Sequence, residues 1–345
     1  GAGNDTLYGG GLADTLYGGA DIDKLNGGSG SDVLFGGDQQ DYLYGDTGDD
    51  TLDGDAGNDR LYGGDDNDDL YGDVGKDKIY GDAGADTFYG GDDNDRLYGG
   101  TGADEMYGGS ESDRLYGQGD SDVLYGGAGV DRLFGGSQTD TLYGGDQSDR
   151  LFGGGNMDTL YGDGGNDKAY GNSANDLIYA GAGKDTMYGG NHDDIIYGGA
   201  GVDSLFGGEA NDTLHGDENT DVLNGQVGDD VLFGGEDDDQ LFGGGGVDTL
   251  YGGTGNDTLK GGNDADTFVF VDGFGTDIIT DFAAVNDLEK IDLTGVTAIT
   301  DMTDLLANHA NQVGLDVVID DGSGDTITLT GVALGDLDVD DFIFV

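Results

Sequence analysis

An aspartate recurs every nine residues from Asp5 to Asp266 without a slip, giving thirty copies. Each sits among glycines. The unit reads Gly-Gly-x-Gly-x-Asp-x-hydrophobe-aromatic, as in Gly126-Gly127-Ala128-Gly129-Val130-Asp131-Arg132-Leu133-Phe134. A carboxylate beside glycine-rich turns with exposed carbonyls is a donor set for a hard cation. Six to eight oxygens at flexible geometry suit calcium, whereas magnesium demands a rigid octahedron and gives up water reluctantly. Turn formation alone can use Asp, but it does not require the same residue thirty times in register.

Composition sets the problem that such a cation would solve. Of 345 residues, 76 are Gly, none is Pro or Cys, and the formal net charge is −61. With a hydrophobic fraction of 35%, a chain this acidic would ordinarily stay disordered, because little apolar burial opposes backbone entropy and self-repulsion. The charge disfavours nucleic acid and anionic membrane as partners and leaves divalent metal as the natural counter-charge. No run of 18 apolar residues is present, so no membrane insertion is expected, and no basic-then-apolar leader is visible. The chain starts at Gly1, inside a repeat, and is expected to be a segment of a longer polypeptide.

The elements that must position the aspartates follow from the same spacing. Two residues after each Asp comes a hydrophobe, from Leu7, Leu16 and Leu25 to Leu259 and Phe268, with Ala169 the weakest member. The three residues after each Asp are expected to form a short strand with this hydrophobe facing inward. The six before it need tight, positive-φ backbone, which Gly adopts without a steric penalty. Where the fourth position is not Gly it is often Asp or Asn, as at Asp21, Asp66, Asp93, Asn156, Asn219, Asp237 and Asp264, side chains that tolerate left-handed backbone. Leu12, Gln39, Glu111, Gln138, Gln147, Ala174, His192 and Ala210 fit less well, and strained or differently shaped turns are expected there.

The nonapeptide resembles that of the RTX (repeats-in-toxin) calcium-binding proteins over residues 1 to about 268. The resemblance implies an all-β fold, a parallel β-roll in which two units make one coil. Fifteen coils stacked about 4.8 Å apart would give a rod roughly 70 Å long with a thin Leu core. It also implies that each ion lies between adjacent coils, held by carboxylates and carbonyls of both turns. The implied metal ligands on one edge are Asp5, Asp23, Asp41, Asp59, Asp77, Asp95, Asp113, Asp131, Asp149, Asp167, Asp185, Asp203, Asp221, Asp239 and Asp257. On the other they are Asp14, Asp32, Asp50, Asp68, Asp86, Asp104, Asp122, Asp140, Asp158, Asp176, Asp194, Asp212, Asp230, Asp248 and Asp266. Fourteen gaps per edge allow up to 28 calcium ions, whose +56 would bring −61 to −5. The metal-free chain should be largely unfolded, with binding free energy serving as folding free energy.

The residue after the core hydrophobe is aromatic in 24 of thirty repeats, 18 Tyr and six Phe. Alternation points these rings outward in two ladders, for example Tyr44, Tyr62, Tyr80, Tyr98 and Tyr116 on one sheet and Tyr71, Tyr89, Tyr107, Tyr125 and Tyr143 on the other. β-Propensity and stacking account for them; an adhesive surface for glycan, protein or another copy is the alternative. An ice-binding role is disfavoured, because a regular Thr or Asn array is missing. Eight of the 12 basic residues, among them Arg60, Lys78, Arg96, Arg114, Arg132 and Arg150, directly follow a repeat Asp and are expected to soften repulsion along the strand face. Enzymatic chemistry is not expected: His192, His215 and His309 are far apart, no metalloprotease or nucleophile-elbow motif occurs, and every repeat has the same carboxylates.

Two regions are expected, a roll over 1–268 and a cap over 269–345. The second shows strand-like runs at Thr267–Phe270, Asp277–Phe282, Lys290–Leu293, Asp316–Ile319 and Thr326–Leu329, and a helix is expected over Thr300–Asn308. This region resembles the C-terminal part of RTX proteins exported by type I secretion, including serralysin-like proteases, and its ending Asp340-Asp341-Phe342-Ile343-Phe344-Val345 is similar to their acidic-then-hydrophobic tails. The resemblance implies a secreted or cell-surface scaffold, with the type I secretion machinery as partner, that folds in calcium outside the cell. The alternatives are an adhesin, surface-layer or filament subunit assembling through the Tyr ladders, and the non-catalytic tail of a larger secreted toxin, protease or epimerase.

Overall fold

The structure, a computed structural model, describes residues 1–284 and 289–344, so Val345 of the expected tail lies outside the described residues. Two compact units are present, Gly1–Ser173 and Ala174–Val345, and each is built from parallel strands. In the first unit Thr6–Gly11 pairs with Lys24–Ser29, and that strand pairs with Tyr42–Thr47. Thr15–Ala20, Val33–Asp38 and Thr51–Ala56 begin a second sheet in the same way. Consecutive nine-residue units therefore alternate between two sheets, and two units close one coil, as a parallel β-roll requires.

Each strand is longer than the three residues expected. Thr141–Asp146, for example, has six, because the residues after the aromatic stay in the ladder: Gly127 lies opposite Gly145 and Ala128 opposite Asp146. Gly127 and Gly145, at φ 102° and 104°, bend the chain without ending its pairing. Asp46, Asp55, Asp73 and Asp82 take the same left-handed backbone at this second position, a requirement that the sequence reading assigned without distinguishing it from the fourth. At the fourth position Asp21, Asp66 and Asp93 share φ 78° with Gln138, Gln147 and His192, and Gln39 lies at 77°. The poorer residues thus take the same turn instead of a new one, at a cost of about 1–2 kcal/mol each. Leu12, at φ 105° in the first coil, departs furthest.

The core is one residue deep. The repeat hydrophobes from Leu25 to Phe268 are fully buried, while Leu7 and Leu16 of the first coil are half-buried. Each burial contributes roughly 1.5–3 kcal/mol, yet their inward neighbours along the strand are glycines such as Gly36 and Gly54, with Ala180 and Phe270 the exceptions. In the second unit the repeat pattern runs past Phe268: Thr276–Ile279 pairs with Thr258–Asn263, and Lys290–Gly295 pairs with Thr267–Val271. Strands Ala310–Val313, Asp316–Asp320 and Thr326–Leu329 then form an antiparallel meander, of which the last adds in parallel to Thr276–Ile279. A helical turn over Met302–His309, begun by the Asp301 side chain accepting from the Thr303 and Asp304 N–H groups, falls where the helix was expected. With buried Phe270, Phe274, Phe282 and Leu305, these elements cap the solenoid. Phe342–Ile343, from the expected tail, is its last parallel strand, beside Ile291–Asp292.

Candidate metal sites

Each repeat Asp closes a glycine turn and opens a strand, so its carboxylate is carried at the sheet edge between stacked coils. The backbone N–H of Asp95 donates to Oδ1 of Asp113 at 2.7 Å, that of Asp113 to Oδ1 of Asp131 at 2.8 Å, and that of Asp131 to Oδ1 of Asp149 at 2.7 Å. The other edge repeats the pattern through Asp104, Asp122 and Asp140. Residues eighteen apart are therefore brought together, by a backbone N–H on a carboxylate rather than by two carboxylates facing each other.

The second oxygen decides what the ladder can do. Oδ2 is buried and has no hydrogen-bond donor in every repeat Asp from Asp23 to Asp266. These aspartates are at most 2% exposed. Buried polar groups are ordinarily paired, and a buried carboxylate without a counter-charge is among the costliest groups in a fold. Burial accordingly pushes the carboxyls of Asp59, Asp95, Asp104, Asp113, Asp149, Asp194 and Asp221 up to about 8. The N–H donated from the previous coil opposes the rise, and neighbouring carboxylates add to it. Asp131 and Asp140, raised to about 6, have burial and the opposing N–H as their causes.

The space around Oδ2 fits a cation. A β-carbon on Gly126 would fall 2.7 Å from Oδ2 of Asp131 and 2.5 Å from the Gly144 carbonyl oxygen, and one on Gly9 would fall 2.8 Å from Oδ2 of Asp14 and 2.7 Å from the Gly27 carbonyl. A carboxylate oxygen of one turn and a carbonyl of the next coil thus converge on a glycine face kept clear of side chain. These all-oxygen donors from flexible turns suit calcium. Asp5 and Asp14, with no coil before them, are exposed and half-buried, and their carboxylates receive no such N–H.

Three features escaped the nine-residue rule. Asp277 lies outside it by two residues, yet its Oδ1 accepts the Asp257 N–H at 2.8 Å, its Oδ2 is buried without a donor, and burial raises its carboxyl to about 8. The signal was present as Gly273-x-Gly275-x-Asp277-x-Ile279. Glu289 precedes the strand paired with Thr267–Val271 just as Asp266 precedes that strand itself; it is buried, accepts the Ala283 N–H at 2.5 Å, and is raised to about 7 chiefly by burial. Asp53, Asp55 and Asp73 gather ligand oxygens within 4.8 Å on the outer face, where Asp53 takes an aromatic position between Phe35 and Tyr71.

The outward aromatics stack as expected, with centroids 4.9 Å apart for Tyr44–Tyr62 and Tyr62–Tyr80 and rings within 4° of parallel. Within an unbroken run each ring face is covered by its neighbour, so edges and hydroxyls face solvent, whereas Tyr8 and Tyr17 in the first coil are 70% and 63% exposed. His215 continues such a stack between Tyr197 and Phe233, and burial lowers its pKa. His309 lies 3.7 Å from Asp304 on the cap.

The RTX calcium-binding nonapeptide repeat model matches eleven stretches that together span residues 1–277. No curated protein sequence matches the chain. Among solved structures, the extracellular lipase LipA from Serratia marcescens aligns at 19% identity and a TM-score of 0.25, over 61% of this chain and 40% of the lipase, so this chain spans less than half of that protein. A hyperactive, Ca2+-dependent, β-helical antifreeze protein from an Antarctic bacterium aligns at 18% identity and a TM-score of 0.23, over 75% of this chain and 84% of that one. With its repeat matched along four fifths of its length, the chain belongs to the RTX calcium-binding nonapeptide repeat family.

Proposed function

We propose that the chain is a secreted β-roll module that stays unfolded where calcium is scarce and folds outside the cell, with the thirty repeat aspartates and Asp277 as calcium ligands. The observation that carries this reading is the file of buried, donorless Oδ2 atoms from Asp23 to Asp277. A one-residue core does not offset so many buried charges, and bound calcium supplies the missing partner on both edges. The ions contribute structure and charge neutralisation, and no catalytic step is assigned to them.

Export fits the same reading. In the folded chain Phe342 is buried and paired, so the tail is free to be recognised only before folding. A secreted reporter fused to residues 267–345 should be exported by a type I system, and removal of the last six residues should abolish export. Circular dichroism during a calcium titration tests the folding claim: β-structure should rise cooperatively with calcium and much less with equal magnesium. Full β-structure in excess chelator would sink it.

A further inference from the structure

On the sheet begun by Thr15–Ala20, the outward rings of the first unit include an unbroken run of phenols. Tyr71, Tyr89, Tyr107, Tyr125, Tyr143 and Tyr161 lie in direct register, coil upon coil. Their centroids are 4.7 to 5.1 Å apart and neighbouring rings are within 6° of parallel, which brings the ortho carbons of adjacent phenols close together at every step. Stacking alone does not call for the hydroxyl: Phe134 and Phe152 stack at 4.8 Å in the other column. Inside the run, the Tyr107 hydroxyl donates to Oε1 of Glu105, two residues back on the same outer face. The equivalent position beside Tyr62, Tyr80, Tyr98 and Tyr116 carries Arg60, Lys78, Arg96 and Arg114, cations that accept no proton. A phenol that passes its proton to a carboxylate as it loses an electron is the easier to oxidise, because no charged radical cation is left behind. The chain has no Trp and no Cys, so tyrosine is its readiest one-electron donor.

We propose that this run is a site of oxidative modification, in which one-electron oxidation entering at Tyr107 joins stacked neighbours as dityrosine and staples adjacent coils. The oxidant is hydrogen peroxide acting through a haem peroxidase. Each of two neighbouring phenols gives up one electron and its hydroxyl proton, that of Tyr107 passing to Glu105. The two radicals form one carbon–carbon bond between ortho carbons, whose hydrogens then shift to the oxygens and restore both hydroxyls. The pair has lost two electrons and two protons, which reduce one peroxide to two waters. The joined residues are eighteen apart in sequence, as in Tyr89–Tyr107 or Tyr107–Tyr125. Covalent closure of that loop lowers the entropy of the unfolded chain and so favours the stacked coils.

The test exposes the calcium-loaded chain, dilute enough to limit contact between copies, to a haem peroxidase and hydrogen peroxide. Peptide mapping of the unaltered chain should find dityrosine, with two hydrogens lost per link, joining Tyr107 to Tyr89 or Tyr125 within single chains. Glu105→Gln keeps an acceptor oxygen but takes no proton, and should slow the reaction about tenfold or more. Tyr89→Phe, Tyr125→Phe and Tyr161→Phe together leave no two tyrosines adjacent in the run while keeping its rings, and should remove its dityrosine. The treated chain should melt in calcium about 5 °C or more above the untreated one. Links only between chains, links between residues nine apart or in no fixed register, an unaltered rate in Glu105→Gln, or an unchanged melting temperature would each overturn the proposal.

Discussion

The Asp113 N–H donates to Oδ1 of Asp131 at 2.8 Å and leaves Oδ2 of the same carboxylate buried without a donor. One oxygen belongs to the backbone ladder and the other awaits a cation. Asp131→Asn should therefore act in opposite directions with and without metal. In calcium it should lower stability by about 1.5–3 kcal/mol, the worth of a charge-assisted contact, and raise the calcium midpoint. In chelator it should not destabilise, because a neutral amide replaces an unpaired buried charge. Thermal unfolding in both buffers checks this.

Protons and calcium compete for the same oxygens. Burial raises Asp95 and Asp113 to about 8 and Asp131 to about 6. A folded-state pKa above the unfolded value means that the metal-free roll is unpenalised below about pH 4 and loses stability as pH rises through 6 to 8. In chelator, residual β-structure should thus be greatest in mild acid. Calcium needs the deprotonated form, and in the unfolded calcium-free chain the carboxyls have their ordinary value of about 4, so the folding midpoint should stay nearly flat between about pH 5.5 and 8.5 and move to higher calcium as pH falls below about 5. A midpoint that rises by about tenfold or more as pH falls from about 8 to 6 would mean instead that the calcium-free chain is already folded around its raised carboxyls.

Gly126 and Ala180 hold the same place in their repeats with opposite consequences. A methyl on Gly126 would press on Oδ2 of Asp131 and the Gly144 carbonyl, at 2.7 and 2.5 Å. At Ala180, fully buried five residues before Asp185, that methyl is present. Gly126→Ala should cost about 1–3 kcal/mol and a calcium site, measured by melting temperature and by the calcium stoichiometry in calorimetry. Ala180→Gly should tighten calcium at its own turn, raising the melting temperature in calcium more than in chelator.

The architecture was legible because one nine-residue period encodes strand direction, core row and ligand row together: fixing Leu133 as inward also fixed Phe134 as outward and Asp131 at the edge. What was not legible came from position two of the repeat and from files spaced by eighteen. Asp55 and Asp73 look like ordinary acids until the ladder gives them positive φ and stacks them beside Asp53. Arg96 and Arg114 look like scattered compensation until register pairs them directly. The turn at Asp277 was hidden for a simpler reason. Phe270 stands where a glycine would open the next turn, and two extra residues move the following Asp out of step, although its surroundings keep the motif.

Asp277 makes that last point testable. It pairs with Asp257 through an N–H at 2.8 Å, with Ile279 beside Leu259 in the sheet and Ile327 in the next strand in place of a further Asp. It is thus the final carboxylate of its edge, set where the antiparallel cap begins. If the cap helps to start folding, a ligand at this junction acts on the whole second unit. Asp277→Asn should raise the calcium midpoint for folding of residues 174–345 by more than Asp5→Asn shifts that of the first unit, since Asp5 is exposed and lacks the donated N–H. Hydrogen exchange along a calcium titration reads both units in one experiment. Equal shifts would reduce Asp277 to an ordinary turn residue, and a larger shift at Asp5 would reverse the order of the two ends.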